Sequence, residues 1–201
     1  MRLPRLLLAG VLLFTAVLLL TALFAQPPFR SVGVTAFAVF TPLWLAVAVV
    51  NAAMGVYAAG YRPAEESVVL APVFGVPALI AGLVWWWTWD RWHGGPLIGA
   101  GRAPAILGAG MALWLAITLL AGLLVPNATA AAALRVAAVL FVPLWLALTV
   151  VNLLIGVFAA GYSAAEEIPV LLLNLLPPVA VAGAAAVAVG RSPRRDAVAA
   201  P

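Results

Sequence analysis

The chain contains no cysteine, no lysine and only one histidine, His93. Without cysteine it can form no disulfide and no thiolate metal site, and it has no cysteine nucleophile. Only 8% of its 201 residues are charged, whereas a soluble domain has about 25%. Since 67% of the residues are hydrophobic, this composition cannot cover a surface that faces water. The sequence therefore predicts an integral membrane protein whose main partner is the lipid bilayer.

The few basic residues indicate orientation rather than a nucleic-acid partner. All ten are arginines and the formal net charge is only +4, so we expect no binding to nucleic acid. Arginine is enriched in loops on the cytoplasmic side of membrane proteins. Six arginines fall at the termini and in the second loop, namely Arg2, Arg5, Arg62, Arg191, Arg194 and Arg195, against Arg30, Arg91 and Arg102 on the other face. This bias predicts a cell-membrane protein with both termini in the cytoplasm.

Six stretches are long enough to cross a bilayer as helices, which takes about 20 apolar residues. They cover approximately residues 5–25, 34–60, 66–88, 104–125, 131–160 and 167–189. The apolar run of the first stretch exceeds the roughly 7–15 residues typical of a signal peptide, so it is taken as helix 1. The prediction is an all-α polytopic fold that ends in a short basic tail, 191–201.

One segment occurs twice in the chain. Residues 40–66 and 141–167 match at a constant offset of 101, with about two-thirds of their positions identical. Residues 14–20 also resemble 114–120, one residue out of register. Similarity at a fixed period indicates a repeated structural unit. Because each unit holds three helices, the second starts on the opposite membrane face, and we predict two inverted repeats, 1–100 and 101–190.

Matched prolines are predicted to shape the long helices of both repeats. A proline inside a helix removes a hydrogen bond and usually bends the helix. Pro42 and Pro143 should kink helices 2 and 5, whereas Pro77 and Pro178 should kink or break helices 3 and 6.

Matched glycines are predicted to end helices and to bring helices together. Gly60 and Gly161 suit the left-handed position just after a helix. Gly55 and Gly156 lie on stripes of small residues, along which helix backbones approach closely. We therefore expect helices 2 and 5 to cross at the two-fold axis through these stripes.

Asn51 and Asn152 are predicted to lie near the middle of the membrane. Each comes nine positions before a hairpin glycine, about 13–14 Å along its helix, and half of the hydrocarbon core is about 15 Å thick. Two interpretations remain open. The amides either hydrogen-bond between helices or line a binding site or pore.

The acidic residues form two matched pairs at the starts of helices 3 and 6, namely Glu65, Glu66, Glu166 and Glu167. Acids in a first helical turn complement the helix dipole, and the spacing of Ser163 and Glu166 is that of a capping box. The pairs could instead attract cations or protons at two vestibules, or take part in catalysis. Asp90 and His93 are too few ligands for a predicted metal site.

These features favour a small transporter or channel for an ion or small solute, with its site at the repeat interface near mid-membrane. Two alternatives stay open: a non-catalytic scaffold or accessory subunit of a larger complex, and a lipid-modifying enzyme that uses the interfacial glutamates. A homodimer or a larger membrane complex is compatible with each. We expect no cofactor, because the sequence has no phosphate-binding loop, dinucleotide fingerprint or haem-ligating histidine pair.

Overall fold

The computed structural model describes residues 2–24, 31–89, 102–125 and 129–190, and six α-helices account for nearly all of them. These are α1 (Arg2–Phe24), α2 (Val32–Tyr57), α3 (Pro63–Thr88), α4 (Arg102–Leu124), α5 (Ala130–Phe158) and α6 (Ala164–Gly190). All six are long and apolar enough to span a membrane, which confirms the prediction of an all-helical structure with six such helices. The basic tail, Asp90 and His93 lie outside the described residues.

The helix ends follow local capping chemistry. The Ser31 hydroxyl accepts the Val34 N–H at 3.4 Å where α2 begins, and the Thr129 hydroxyl does the same for α5. Such caps satisfy N–H groups that have no partner within the helix. Gly60 and Gly161, with φ of 75° and 77°, adopt the predicted left-handed conformation after α2 and α5. Caps therefore set the observed ends, which lie within about three residues of the predicted ones.

Each half of the chain has a three-helix core built around a buried tryptophan. In the first half the indole of Trp44 on α2 lies against Gly10 of α1 and Pro77 of α3. A Cβ on Gly10 would come within 2.7 Å of both neighbours, so a larger residue would not fit. The second half repeats these contacts with Gly110, Trp145 and Pro178.

The helices α3 and α6 continue through their prolines, so of the two predicted alternatives, a kink or a break, the break is wrong. Proline has no N–H, so it leaves the carbonyl four residues earlier without a helical partner. The Trp44 indole donates to the freed Val73 carbonyl at 2.9 Å, and the Trp145 indole donates to the Asn174 carbonyl at 3.2 Å. A neighbouring helix thus replaces the missing hydrogen bond.

The two halves meet mainly through α1 and α4, which run antiparallel. Leu19 near the end of α1 packs on Gly108 near the start of α4, whereas Arg5 lines a cavity with Leu119 and Leu123 near the end of α4. In contrast, α2 and α5 are not among the described helix pairs that pack extensively. The predicted crossing of α2 and α5 is therefore wrong, because each packs within its own half.

Candidate functional site

Each predicted asparagine contacts an arginine at the start of the first helix in its own half. The Arg2 guanidinium donates to the Asn51 amide oxygen at 2.9 Å, and Arg102 donates to that of Asn152 at 2.6 Å. Both asparagines are buried. Hydrogen bonds from a charged donor are stronger than neutral ones, so these contacts fix the side chains in place.

These contacts lie near the helix ends and not at mid-length. Arg2 is the first described residue of α1, and Asn51 comes about 9 Å before the end of α2 at Tyr57. Asn51 and Asn152 consequently belong to two separate sites, one in each half. The structure does not bring the two amides together in one site between the repeats.

The first glutamate of each pair caps its helix. The Glu65 carboxylate accepts the Arg62 N–H at 3.2 Å. The Glu166 carboxylate accepts the N–H of Ser163 at 2.9 Å and its hydroxyl at 2.8 Å, and the Ser163 hydroxyl accepts the Glu166 N–H in return. Both carboxylates are exposed. The capping-box interpretation is confirmed for Ser163 and Glu166.

The second glutamate of each pair is buried. Glu66 is 9% exposed and Glu167 is 4% exposed. Their carboxylates lie against Gly55 and Gly156, where any Cβ would clash with them. The small residues on α2 and α5 thus make room for a carboxylate, and they do not serve the predicted helix crossing. Adjacent residues on a helix point about 100° apart, which separates the two roles in each pair.

The turn after Gly55 brings a tyrosine next to each buried carboxylate. Because Gly60 is left-handed, the Tyr61 N–H reaches back to the Gly55 carbonyl at 3.1 Å, and Tyr162 reaches Gly156 at the same distance. Tyr61 and Tyr162 are both about half exposed. Each tyrosine lines a cavity together with the buried glutamate of its half.

Each half contains a cavity at these residues that is open to the surface and has several polar side chains in its lining. The first has a volume of about 390 Å³, and its polar lining is Arg2, Asn51, Tyr61, Glu65 and Glu66. The second has a volume of about 400 Å³, and its polar lining is Arg102, Tyr162, Glu166, Glu167 and Asn174. Both volumes fall in the range of ligand sites, roughly 300–1,000 Å³.

The arginine and the glutamates of a cavity do not pair with each other. Within the described ranges, Arg102 forms its hydrogen bond with Asn152 and makes no ion pair with Glu166 or Glu167. The same holds for Arg2 in the first cavity. Removing a charge from water is costly unless an opposite charge or hydrogen bonds compensate for it. Each cavity therefore holds an arginine and glutamates that are not paired with one another in the described structure.

The two cavities take their lining amide from different helices. Asn174 of α6 lines the second cavity and matches Val73 of the first half, whereas Asn51 of α2 lines the first cavity. Asn174 is only 1% exposed, and neither atom of its amide group has a hydrogen-bond partner in the described structure. Two further buried atoms, Glu167 Oε2 and Asn152 Nδ2, also have no hydrogen-bond partner in the described structure. Unpartnered polar atoms are rare in protein interiors, so their concentration here points to a ligand site.

Neither metal ligation nor similarity to other proteins explains these cavities. No group of three or more Asp, Glu or His residues in the described part of the chain could hold a metal ion. Comparison with known proteins gives no match to a family model, a curated protein or a solved structure. The function must therefore be argued from the geometry of the two cavities.

The sequence contained a signal for the arginine contacts. Arg2 and Arg102 stand 100 residues apart, the same offset that relates residues 14–20 to 114–120. When the two arginines are used only to predict topology, they are assigned to opposite membrane faces. That use does not indicate that they have equivalent positions in the two repeats. Considered as members of the repeat, they occupy the same position in two equivalent helices.

Proposed function

We propose that the chain is a small membrane carrier that binds a polar solute in its two matched cavities and moves it across the bilayer. The observation that supports this most is the repetition of one polar set in both halves. The two sets are Arg2, Asn51 and Glu66, and Arg102, Asn152 and Glu167. Buried ionisable residues in membrane helices are costly and commonly mark the path of a ligand or ion.

The proposed carrier consists of two inverted repeats in the cell membrane, with both termini in the cytoplasm. The antiparallel packing of α1 and α4, the first helices of the two halves, supports this inversion. Each half also has three helices, and an odd number of crossings makes the second half start on the opposite membrane face. In this arrangement the first cavity opens to the cytoplasm and the second to the exterior. One solute would then meet the same chemistry on either face.

A carrier fits the geometry better than an open channel. The cavity beside α1 between the halves is lined by apolar side chains such as Val17, Phe24 and Leu148, with only Thr21 and Thr35 as polar neighbours. Such apolar surroundings impose a high desolvation cost on a charged solute, so they do not provide an open polar path. Release on the far side therefore requires the halves to move relative to each other.

The apolar contact between the halves also favours one alternative, an accessory subunit of a larger membrane complex. Such a subunit would need a stable fold but no solute flux. The matched polar cavities would then be structural, and each buried glutamate would contribute only to stability. The two functions make different predictions for flux, so a transport assay can separate them.

The test is uptake into proteoliposomes that contain the purified protein, measured across a panel of labelled ions and small solutes. We expect protein-dependent, saturable uptake of at least one solute. Glu66→Gln and Glu167→Gln keep the side-chain volume but remove the negative charge, and each should lower uptake at least tenfold. Ser67→Ala is the matched control in α3, since its hydroxyl is bound only to the Ala64 carbonyl.

Two results would contradict the carrier. The first is the absence of protein-dependent uptake for every solute in the panel. The second is unchanged uptake when both glutamates are replaced together in a protein that remains folded. Either result, with co-purification of a stable partner, would favour the accessory subunit.

A further inference from the structure

The hydrogen-bonding groups in and beside the second cavity define the chemistry of its ligand. In the part of the chain that the structure describes, two kinds of group at this cavity have no protein partner. The donors are the remaining guanidinium N–H groups of Arg102 and the amide nitrogens of Asn152 and Asn174. Acceptors without a partner are Glu167 Oε2 and Asn174 Oδ1. A guanidinium has five N–H groups, and Arg102 uses one for Asn152. The cavity thus offers a ligand both hydrogen-bond donors and hydrogen-bond acceptors.

We infer that the ligand is a small zwitterion that carries an N–H-bearing ammonium group and an anionic oxygen group, an inference that rests on the proposed function. The ammonium group would donate to Glu167, and the anionic oxygens would accept from Arg102 and Asn174. A cation alone would leave the guanidinium unmatched, and an anion alone would leave the buried carboxylate unmatched. A ligand with both charges satisfies each without a net change in the charge of the cavity.

The dimensions of the cavity suit such a ligand. Glu167 and Asn174 are seven residues apart on one face of α6, about 10 Å along the helix axis. A volume of about 400 Å³ exceeds the roughly 30 Å³ that one water molecule occupies by more than tenfold. This volume is large enough for an amino acid or a phosphoethanolamine group.

Asn174 makes the second cavity the tighter site. The first cavity has an equivalent arginine and buried glutamate, but its lining amide is Asn51, whose oxygen is already bound by Arg2, and Val73 at the position of Asn174 offers no hydrogen bond. Hydrogen bonds to a charged group are stronger than those between neutral groups, so the Asn174 amide should add substantially to the binding of an anionic oxygen. We therefore expect the two sites to differ in affinity by at least tenfold.

The test is binding measured by calorimetry, with the purified full-length protein in phosphatidylcholine nanodiscs. Glycine and phosphoethanolamine carry both required groups. Ethanolamine and acetate carry one charge each, and phosphocholine is a zwitterion without an ammonium N–H. We expect saturable binding of the first two probes and at least tenfold weaker binding of the other three. Equal binding of ethanolamine or acetate would overturn the inference, as would no binding of either zwitterion.

The same assay identifies the source of the ligand. Nanodiscs that contain phosphatidylethanolamine should weaken the binding of free phosphoethanolamine if a lipid headgroup occupies the cavity. If this lipid has no effect on that binding, the ligand is a free solute. Both results require a zwitterion site, and they differ only in where the zwitterion comes from.

Exchange of one side chain between the halves tests the role of Asn174. Asn174→Val should weaken the tighter site at least tenfold, and Val73→Asn should strengthen the weaker site. Asn174→Val removes only polar atoms that have no partner in the described structure, so its unfolding midpoint should not fall. A loss of binding at an unchanged midpoint then cannot be ascribed to misfolding. Unchanged binding in Asn174→Val would show that water, not ligand, satisfies this amide.

Failure of this inference is distinguishable from failure of the carrier. If no zwitterion binds but uptake of another solute depends on Glu167, the carrier stands and the ligand class is wrong. If zwitterions bind to the cavity but are not transported, the ligand class stands and the carrier is wrong.

Discussion

The hydrogen bond between Trp44 and the Val73 carbonyl gives a stability prediction that can be worked out from the structure. This carbonyl has no helical partner because Pro77 lacks an N–H, and the Trp44 indole donates to it at 2.9 Å in a fully buried contact. Trp44→Phe keeps an aromatic ring but removes the donor. An unsatisfied buried carbonyl costs about 1–3 kcal/mol. Lipid cannot supply the missing donor, so the cost persists in a membrane.

A double-mutant cycle with Pro77→Ala isolates this cost. Alanine restores the N–H at position 77, so the Val73 carbonyl regains its helical donor and no longer needs the indole. Trp44→Phe should therefore destabilise the natural chain more than the Pro77→Ala variant, by about 1–2 kcal/mol. The weaker packing of the smaller ring against Gly10 is common to both backgrounds and cancels in the difference. The contact of the ring with Pro77 exists only in the natural background, so the equivalent cycle with Pro77→Gly in place of Pro77→Ala checks that the difference follows the restored N–H and not the side chain at position 77.

The assay is the free energy of unfolding in bicelles, measured for the four proteins of the cycle. The equivalent cycle with Trp145 and Pro178 provides an internal replicate, because the second half has the same hydrogen bond at 3.2 Å. An equal cost of Trp44→Phe in the two backgrounds would refute the reasoning. The continuity of α3 through Pro77 would then need another explanation.

Two further predictions concern helix packing and helix capping. Gly10→Ala should lower the free energy of unfolding by about 1–3 kcal/mol, because its Cβ would overlap Trp44, whereas Gly75→Ala has open space and should be neutral or mildly stabilising by denaturant titration. A loss as large at Gly75 would contradict this. Ser163→Ala should cost about 1 kcal/mol in the same measurement, because it removes the cap that binds Glu166. Unchanged stability would argue against the capping role.

Much of the fold is predictable because its signals are local. Length and hydropathy define the six helices, and the left-handed Gly60 and the capping Ser163 define helix ends from neighbouring residues alone. The repeat predicts that the two halves share contacts, as the equivalent surroundings of Trp44 and Trp145 illustrate.

The pairing of helices is not predictable in the same way. The helices are apolar all round, so no amphipathic face indicates which side meets a neighbour. Stripes of small residues therefore suggested contact between α2 and α5, whereas the small and apolar faces of α1 and α4 form the main contact. Position 55 on α2 requires a glycine because the Glu66 carboxylate of α3 lies against it. This requirement comes from a different helix, so the residues next to Gly55 in the sequence do not indicate it.

The candidate site was predicted in part. Residue type and repetition point to Asn51, Asn152 and all four glutamates. In the structure all of these except Asn152 line a cavity or cap a helix beside one. The contact between Arg2 and Asn51 joins residues 49 positions apart and depends on the packing of α1 against α2. Asn174 has no counterpart in the first half, so the repeat could not indicate its role.

The central claim is that two matched polar cavities face opposite sides of the membrane, and cysteine labelling tests it most directly. The natural chain has no cysteine, so Tyr61→Cys and Tyr162→Cys each introduce a single reactive thiol at the half-exposed rim of one cavity. In intact cells, a membrane-impermeant maleimide should label the Tyr162→Cys variant, and it should label the Tyr61→Cys variant only after permeabilisation. Labelling of both variants from the same side would contradict the account.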